Sequence, residues 1–145
     1  MKKKRILAIA LLALSVAPVC AQYRVDRLIT AGRSALFYED YVLSIKYFNL
    51  AIGAKPYLYE PWYFRSVAKF NLDDYMGAES DATEALQLNP YINDIYDLRA
   101  ICRIRQNKYD DAISDYNTAI RLEPRNRNYW FNRALCYMQD KKSDP

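Results

Sequence analysis

Three prolines, Pro56, Pro90 and Pro124, stand 34 residues apart, and each closes a similar phrase: LAIGAKP, EALQLNP and TAIRLEP. Proline has no backbone N–H and biases the residue before it away from the helical conformation. A helix-like run that meets proline on this beat is stopped on this beat. The same interval organises the rest of the chain. Small residues recur at Gly32, Ser66, Ala100 and Ala134, at Ser44, Ala78 and Ala112, and at Ala51, Ala85 and Ala119. Large residues recur at Leu28, Trp62, Tyr96 and Trp130, at Tyr41, Tyr75 and Tyr109, and at Ile52, Leu86 and Ile120.

Each period holds two helical stretches. In one, Trp62, Arg65, Ser66 and Lys69 fall on a single stripe by 3–4 spacing. The second runs from about Tyr75 to Leu88, with Ala78, Ala82, Ala85 and Leu86 on one face. Between them lies NLDDY, whose aspartates are suited to cap the second helix. A lone pair of helices of about 13 residues is marginal in water. Stacked pairs cover one another's apolar faces and build a continuous core. Small residues then let helix backbones approach, and the bulky columns fill the space beside them. The expectation is an all-α solenoid of antiparallel helix pairs.

These columns resemble the tetratricopeptide repeat. The resemblance covers residues 25–56, 59–90 and 93–124, with a partial fourth unit at 127–140 that begins NYWFNRALCYM. Ala82 stands where Phe48 and Tyr116 supply an aromatic, Ser143 replaces the next tyrosine of its column, and Ser44 replaces an alanine in the first unit. The resemblance implies a right-handed superhelical solenoid that binds protein segments on a concave face lined by the first helix of each unit. Transferred by column, that face is Asp26, Ile29, Arg33, Leu36 and Phe37, then Glu60, Tyr63, Val67, Phe70 and Asn71, then Asp94, Asp97, Ile101, Ile104 and Arg105. The expected partner-binding set is Ile29, Arg33, Leu36, Phe37, Tyr63, Val67, Phe70, Asp97, Ile101 and Ile104. Chaperone-binding members of the family hold a peptide's terminal carboxylate with lysines and asparagines. Acids stand here instead, so the implied guest is a protein or peptide segment with hydrophobic anchors.

The first 21 residues are set apart. Lys2, Lys3, Lys4 and Arg5 precede a predominantly apolar run from Ile6 to Ala17 and a small-residue stretch ending at Ala21. This pattern predicts a signal peptide over 1–21, cut before Gln22, and an exported, periplasmic domain over 22–145. The apolar run is short for a membrane span, which needs about 20 residues. Membrane attachment would come only through an uncleaved leader or a lipid on Cys20. Without the leader's four cations the chain has 17 basic and 17 acidic residues. Such a balance gives no general attraction to nucleic acid.

Chemistry is sparse. The chain has no histidine and three glycines. That removes histidine-based nucleophile systems and any Gly-rich phosphate loop. The acid pairs Glu39-Asp40, Asp73-Asp74 and Asp110-Asp111 fall at the turns, where they favour helix N-termini. No catalytic residue, metal or cofactor is expected, and the chain is not expected to be an enzyme. Cys102 and Cys136 sit one period apart and read as buried thiols, because adjacent helix axes are too far apart for easy bridging. Arg65, Arg99 and Arg133 share a column, as do Asp81 and Asp115; the first unit has Ala31 and Tyr47 there. Pairing is expected within a unit, or between neighbours as Arg99 with Asp81 and Arg133 with Asp115.

In the fourth unit Trp130, Phe131, Leu135 and Met138 lack a covering second helix. They imply a longer array or a partner. The expected function is a protein–protein interaction scaffold or assembly factor of the bacterial cell envelope. The alternatives are a glycan- or peptidoglycan-binding module, to which 14 tyrosines lend stacking surfaces, or the N-terminal helical part of a longer multidomain protein.

Overall fold

The structure, a computed structural model, describes residues 24–143 and the side chains of 24–140. The leader over 1–21, Cys20 and the cleavage position before Gln22 lie outside the described residues. Among the described residues there are seven α-helices and no strand. They are α1 (24–37), α2 (Tyr41–Ala54), α3 (Tyr59–Asn71), α4 (Tyr75–Leu88), α5 (Asn93–Arg105), α6 (Tyr109–Leu122) and α7 (Arg127–Ser143). Each helix packs on the next, and α3 also touches α5. This is the expected array of helix pairs. None of the described helices is long and apolar enough to cross a membrane.

The turn inside each pair is built the same way three times. Glu39, Asp73 and Asn107 all take φ 60, a left-handed conformation uncommon outside glycine. The following N–H groups, of Asp40, Asp74 and Lys108, donate back to Ala35, Lys69 and Arg103 carbonyls. Asp40 and Asp74 then cap the next helix by accepting from the N–H of Leu43 and Gly77. At the third turn Lys108 occupies the cap without a side-chain bond, and Asp110 and Asp111 supply negative charge to the first turn of α6. The tyrosine column, expected as large apolar filler, serves this turn with its hydroxyls. Tyr75 and Tyr109 donate to the side chains of Asp73 and Asn107.

Successive units are tied by a second recurring bond. Trp62 Nε1, Tyr96 OH and Trp130 Nε1 donate to the carbonyls of Pro56, Pro90 and Pro124 at 2.9, 3.2 and 3.0 Å. The proline that stops a helix therefore also anchors the first aromatic of the following one.

Within a pair the two small-residue columns face each other. Ser44 Oγ donates to the Gly32 carbonyl at 3.0 Å, and Ser66 Oγ to the Ala78 carbonyl at 2.7 Å. A Cβ on Gly32 would stand 2.6 Å from the Phe48 ring, so only glycine fits beside that aromatic. Ala51, Ala85 and Ala119 are wholly buried, as the expected docking requires. One core cluster gathers Ala82, Ala85, Leu86 and Ile95; another gathers Ala100, Ala112, Tyr116, Ala119, Tyr129 and Cys136 with neighbours. Ala134 is exposed although Ser66 and Ala100 of its column are wholly buried, because no second helix follows α7 among the described residues.

The arginine–aspartate columns pair within units. Arg65 grips Asp81 through Nε and Nη2, both at 2.7 Å, and Arg99 grips Asp115 at 3.1 and 2.6 Å. Lys69 and Arg103 add a second cation to each carboxylate. Both aspartates are nearly inaccessible. The pairing between neighbours, Arg99 with Asp81 and Arg133 with Asp115, does not form. Across that boundary Arg65, Arg99 and Arg133 instead donate to Asn49, Thr83 and Asn117. Each arginine thus holds its own unit's aspartate, where present, and a neutral acceptor one unit back. A separate lock joins the second and third units: Glu79 receives Arg103, Gln106 and Lys108 at 2.8–2.9 Å. Burial pushes its carboxyl up, but the bonds from Lys108, Arg103 and Gln106 outweigh that and hold it at about 2.

Each lock can be tested by substitution. Asp115→Ala should cost about 3–5 kcal/mol, because it strands Arg99 and Arg103 in a half-buried site. A double-mutant cycle of Arg99 with Asp115 should show coupling above about 1 kcal/mol, and the cycle of Arg99 with Asp81 none. Glu79→Gln should lower stability at neutral pH by roughly 1–3 kcal/mol. Because the folded value of Glu79 lies below its ordinary 4.5, that contribution is complete above 4.5 and fades towards 2. Denaturant melts of wild type and variant should therefore converge over that range.

Candidate functional site

The first helices α1, α3, α5 and α7 present one face, and the residues expected to bind a partner divide along it into three groups. At one end Arg33, Leu36 and Phe37 border a cavity of about 510 Å³ together with Thr30, Ser34 and Phe64. Phe37 is 80% exposed, and the Arg33 guanidinium lies 5.0 Å from the centre of the Phe64 ring. At the other end Ile101 and Ile104 border a cavity of about 320 Å³ with Tyr116, Asn132, Leu135 and Gln139. Between them are Tyr63, Val67, Phe70 and Asp97, all half-buried. Tyr63 packs on Phe64 with ring centres 5.1 Å apart, and Phe70 leans away onto Tyr75. Ile29 is half-buried and borders neither of these two cavities.

The electrostatics concentrate on Asp97. Burial raises its carboxyl above the ordinary aspartate range and the neighbouring Asp94 raises it further, while Tyr116 and Asn132 pull it down. No cation is among the groups acting on it. The tyrosines respond in kind. Tyr63 is raised by burial and then by Asp94 and Asp97. Tyr129 is pushed up to about 12 by burial, then by Asp97, Asp94 and Glu123. Tyr116 is raised by burial and by Asp97.

Sequence reasoning missed the share of α7. Leu135 is one period beyond Ile101, and Phe131 and Met138 are one period beyond Asp97 and Ile104. All three are exposed and extend the same face. Their column spacing was the signal; the sequence marks Trp130, Phe131, Leu135 and Met138 as implying a longer array or a partner, without joining them to the groove. Thr30, Ser34, Phe64 and Asn132 were also missed, because each column holds dissimilar residues.

The arrangement is suited to binding. Among the described residues no group of three or more histidine, cysteine, aspartate or glutamate side chains is placed to hold a metal ion. Cys102 and Cys136 are free and buried. Burial and then Glu79 push the Cys102 thiol up to about 12, and burial raises Cys136, so neither is a ready nucleophile.

Residues 103–141 match the family model described as TPR repeat. No curated protein matches the chain. Among solved structures, the chain is similar to the first TPR of Spaghetti (RPAP3) bound to an HSP90 peptide, SRMEEVD. That match has 25% identity and a TM-score of 0.76, over 79% of this chain and 90% of that one. The OM64 TPR domain of Arabidopsis matches at 19% identity and a TM-score of 0.78, over 81% and 98%. MamA matches at 20% identity and a TM-score of 0.79, over 91% and 75%. The last two likenesses are of fold.

Asp97 has a measurable effect on the free protein. Its folded value is raised, so the folded state prefers the protonated acid. Its charge is a burden that is absent below about the ordinary 3.8, grows as pH rises towards the raised folded value and is complete above it. Asp97→Asn should therefore raise the melting temperature at neutral pH, by about 1–4 °C, and the gain should vanish in acid. Thermal melts by circular dichroism across that range check the sign.

Proposed function

We propose that this chain, whose residues 103–141 match the TPR repeat model and whose fold is similar to that of TPR domains, is a protein–protein interaction scaffold or assembly factor that holds a segment of another protein along the face of its first helices. One observation carries the reading. Half-buried and exposed apolar side chains run from Leu36 and Phe37 through Val67 to Ile101, Ile104 and Leu135, and a cavity opens at each end. Covering apolar surface yields roughly 25 cal/mol per Å², and an amphipathic helix or an extended segment with apolar anchors fits such a strip. The peptide bound by the similar Spaghetti domain supports the mode of binding but not the same guest. SRMEEVD is acidic at its end, and Asp94 and Asp97 would oppose it here.

The reading is of a binding protein rather than an enzyme. The setting, an exported protein of the bacterial cell envelope, rests on the N-terminal pattern over 1–21.

Tyr63→Ala and Ile101→Ala should each weaken partner capture from an envelope extract by about tenfold, while keeping the helical circular-dichroism spectrum. Met76→Ala, at an exposed position on α4, should leave capture unchanged. Equal capture by all four proteins would place the partner elsewhere on the molecule.

A further inference from the structure

Helix α5 carries three acceptor side chains in its first half: Asn93 and Asp97 one turn apart on one stripe, with Asp94 beside them. The Oδ1 atoms of Asn93 and Asp97 are buried and have no hydrogen-bond partner. Tyr116 is wholly buried, and its hydroxyl lies against Asp97 without closing a well-formed hydrogen bond. Unpaired buried polar groups are few in native proteins and costly. Two of them, on Asp97 and Tyr116, act on one another, and the third, on Asn93, stands one helical turn before Asp97.

What the two α5 side chains lack there is of one kind, a hydrogen-bond donor. Asp81 and Asp115, the other carboxylates buried in the array, each hold a bidentate arginine and a second cation. Asp97 is influenced instead by a second carboxylate. Both stranded Oδ1 atoms are acceptors. A guanidinium group offers five N–H donors and no acceptor, and its plane stacks on aromatic rings. This chain already sets arginines over Trp62, Tyr96 and Trp130. Beside Asp97 the half-buried ring of Tyr63 is close enough to feel both carboxylates.

The acidic spot also adjoins an apolar one. Tyr116 and Asn132 act on Asp97 and at the same time line the 320 Å³ cavity with Ile101 and Leu135. Ile101 follows Asp97 by one helical turn, about 5.4 Å along the axis.

We infer that this end of the groove receives a basic side chain, arginine above lysine, from a partner polypeptide whose neighbouring apolar residue fills the cavity beside Ile101. The inference rests on the groove reading above and adds the charge of the guest and where that charge docks. The partner supplies the donors that α5 lacks, and Asp94 and Asp97 supply the long-range attraction.

The test is to pan a random peptide library displayed on phage against the whole protein and against Asp97→Asn and Asp94→Asn. Asp94 is exposed, so its variant keeps the fold whatever Asp97→Asn does. Clones that also lose binding to Tyr63→Ala or Ile101→Ala define the groove binders. Groove binders should carry arginine or lysine within one to four residues of an apolar residue. Replacing that basic residue by glutamine in the synthetic peptide should weaken binding about tenfold to the wild type and less than about twofold to Asp97→Asn. Groove binders without a basic residue, or a basic preference that survives both aspartate variants, would overturn this inference and leave the groove intact. A library that yields no groove binders would overturn the groove itself and this inference with it.

Discussion

How closely two helices approach decides everything else in this array, and that distance is set where the small columns meet. A serine hydroxyl is a short arm, yet Ser66 Oγ reaches the Ala78 carbonyl of the facing helix at 2.7 Å. The backbones are nearly in contact there. Such a crossing has no slack, so the residues around it must compensate for one another. Gly32 has no side chain because Phe48 occupies that space. The second unit has Ser66 and only Ala82 in those two columns, and Tyr59, Trp62 and Tyr63 pack in around its core cluster. The third has Ala100 with Tyr116. Three different pairs of residues fill the equivalent place in successive units, so these two columns are recognisable although neither repeats a single residue throughout.

What was legible in the sequence follows from the same distinction. Steric requirements are local and repeat at fixed intervals, so Pro56, Pro90, Pro124 and the small columns announced the helix pairs, and the likeness to TPR domains agrees with them. Directional contacts were less legible. The column pattern put Arg99 in reach of both Asp81 and Asp115; only three-dimensional geometry selects Asp115 and gives Thr83 as the backward contact. The bonds from Trp62, Tyr96 and Trp130 to proline carbonyls could not be read, because an aromatic in a core column looks like filler whether or not its N–H or O–H has a partner. On the groove face the columns hold unlike residues, such as Tyr63, Asp97 and Phe131. Nothing but spacing marked α7 as part of it.

The buried charges divide into two kinds. Asp81 and Asp115 are compensated twice over, and their arginines also reach one unit back, to Asn49 and Thr83. They fix the angle within a pair and the register between pairs together. Breaking such a pair is costly, but keeping it adds little beyond what apolar packing would supply. Their value is specificity of docking. Asp97 is the opposite case. It sits among Tyr63, Tyr116, Asn132 and Asp94, its charge is disfavoured by burial, and the groups on α6 and α7 that favour its charge, Tyr116 and Asn132, are neutral.

A destabilising group can persist only where its surroundings are held firmly by other means. Helix α5 meets that condition. Ile95 belongs to the core cluster shared with the second unit, and Ala100 to the cluster shared with the fourth. Tyr96 ties its start to Pro90, and Arg103 ties its end to Glu79 and Asp115. Asp97 lies between these anchors, so it cannot relieve its position by letting the helix shift. The rigidity that the repeat obtains from its small residues and ion pairs is thus what allows a carboxylate that burial disfavours, and whose stabilising neighbours Tyr116 and Asn132 are neutral, to stay on the groove face.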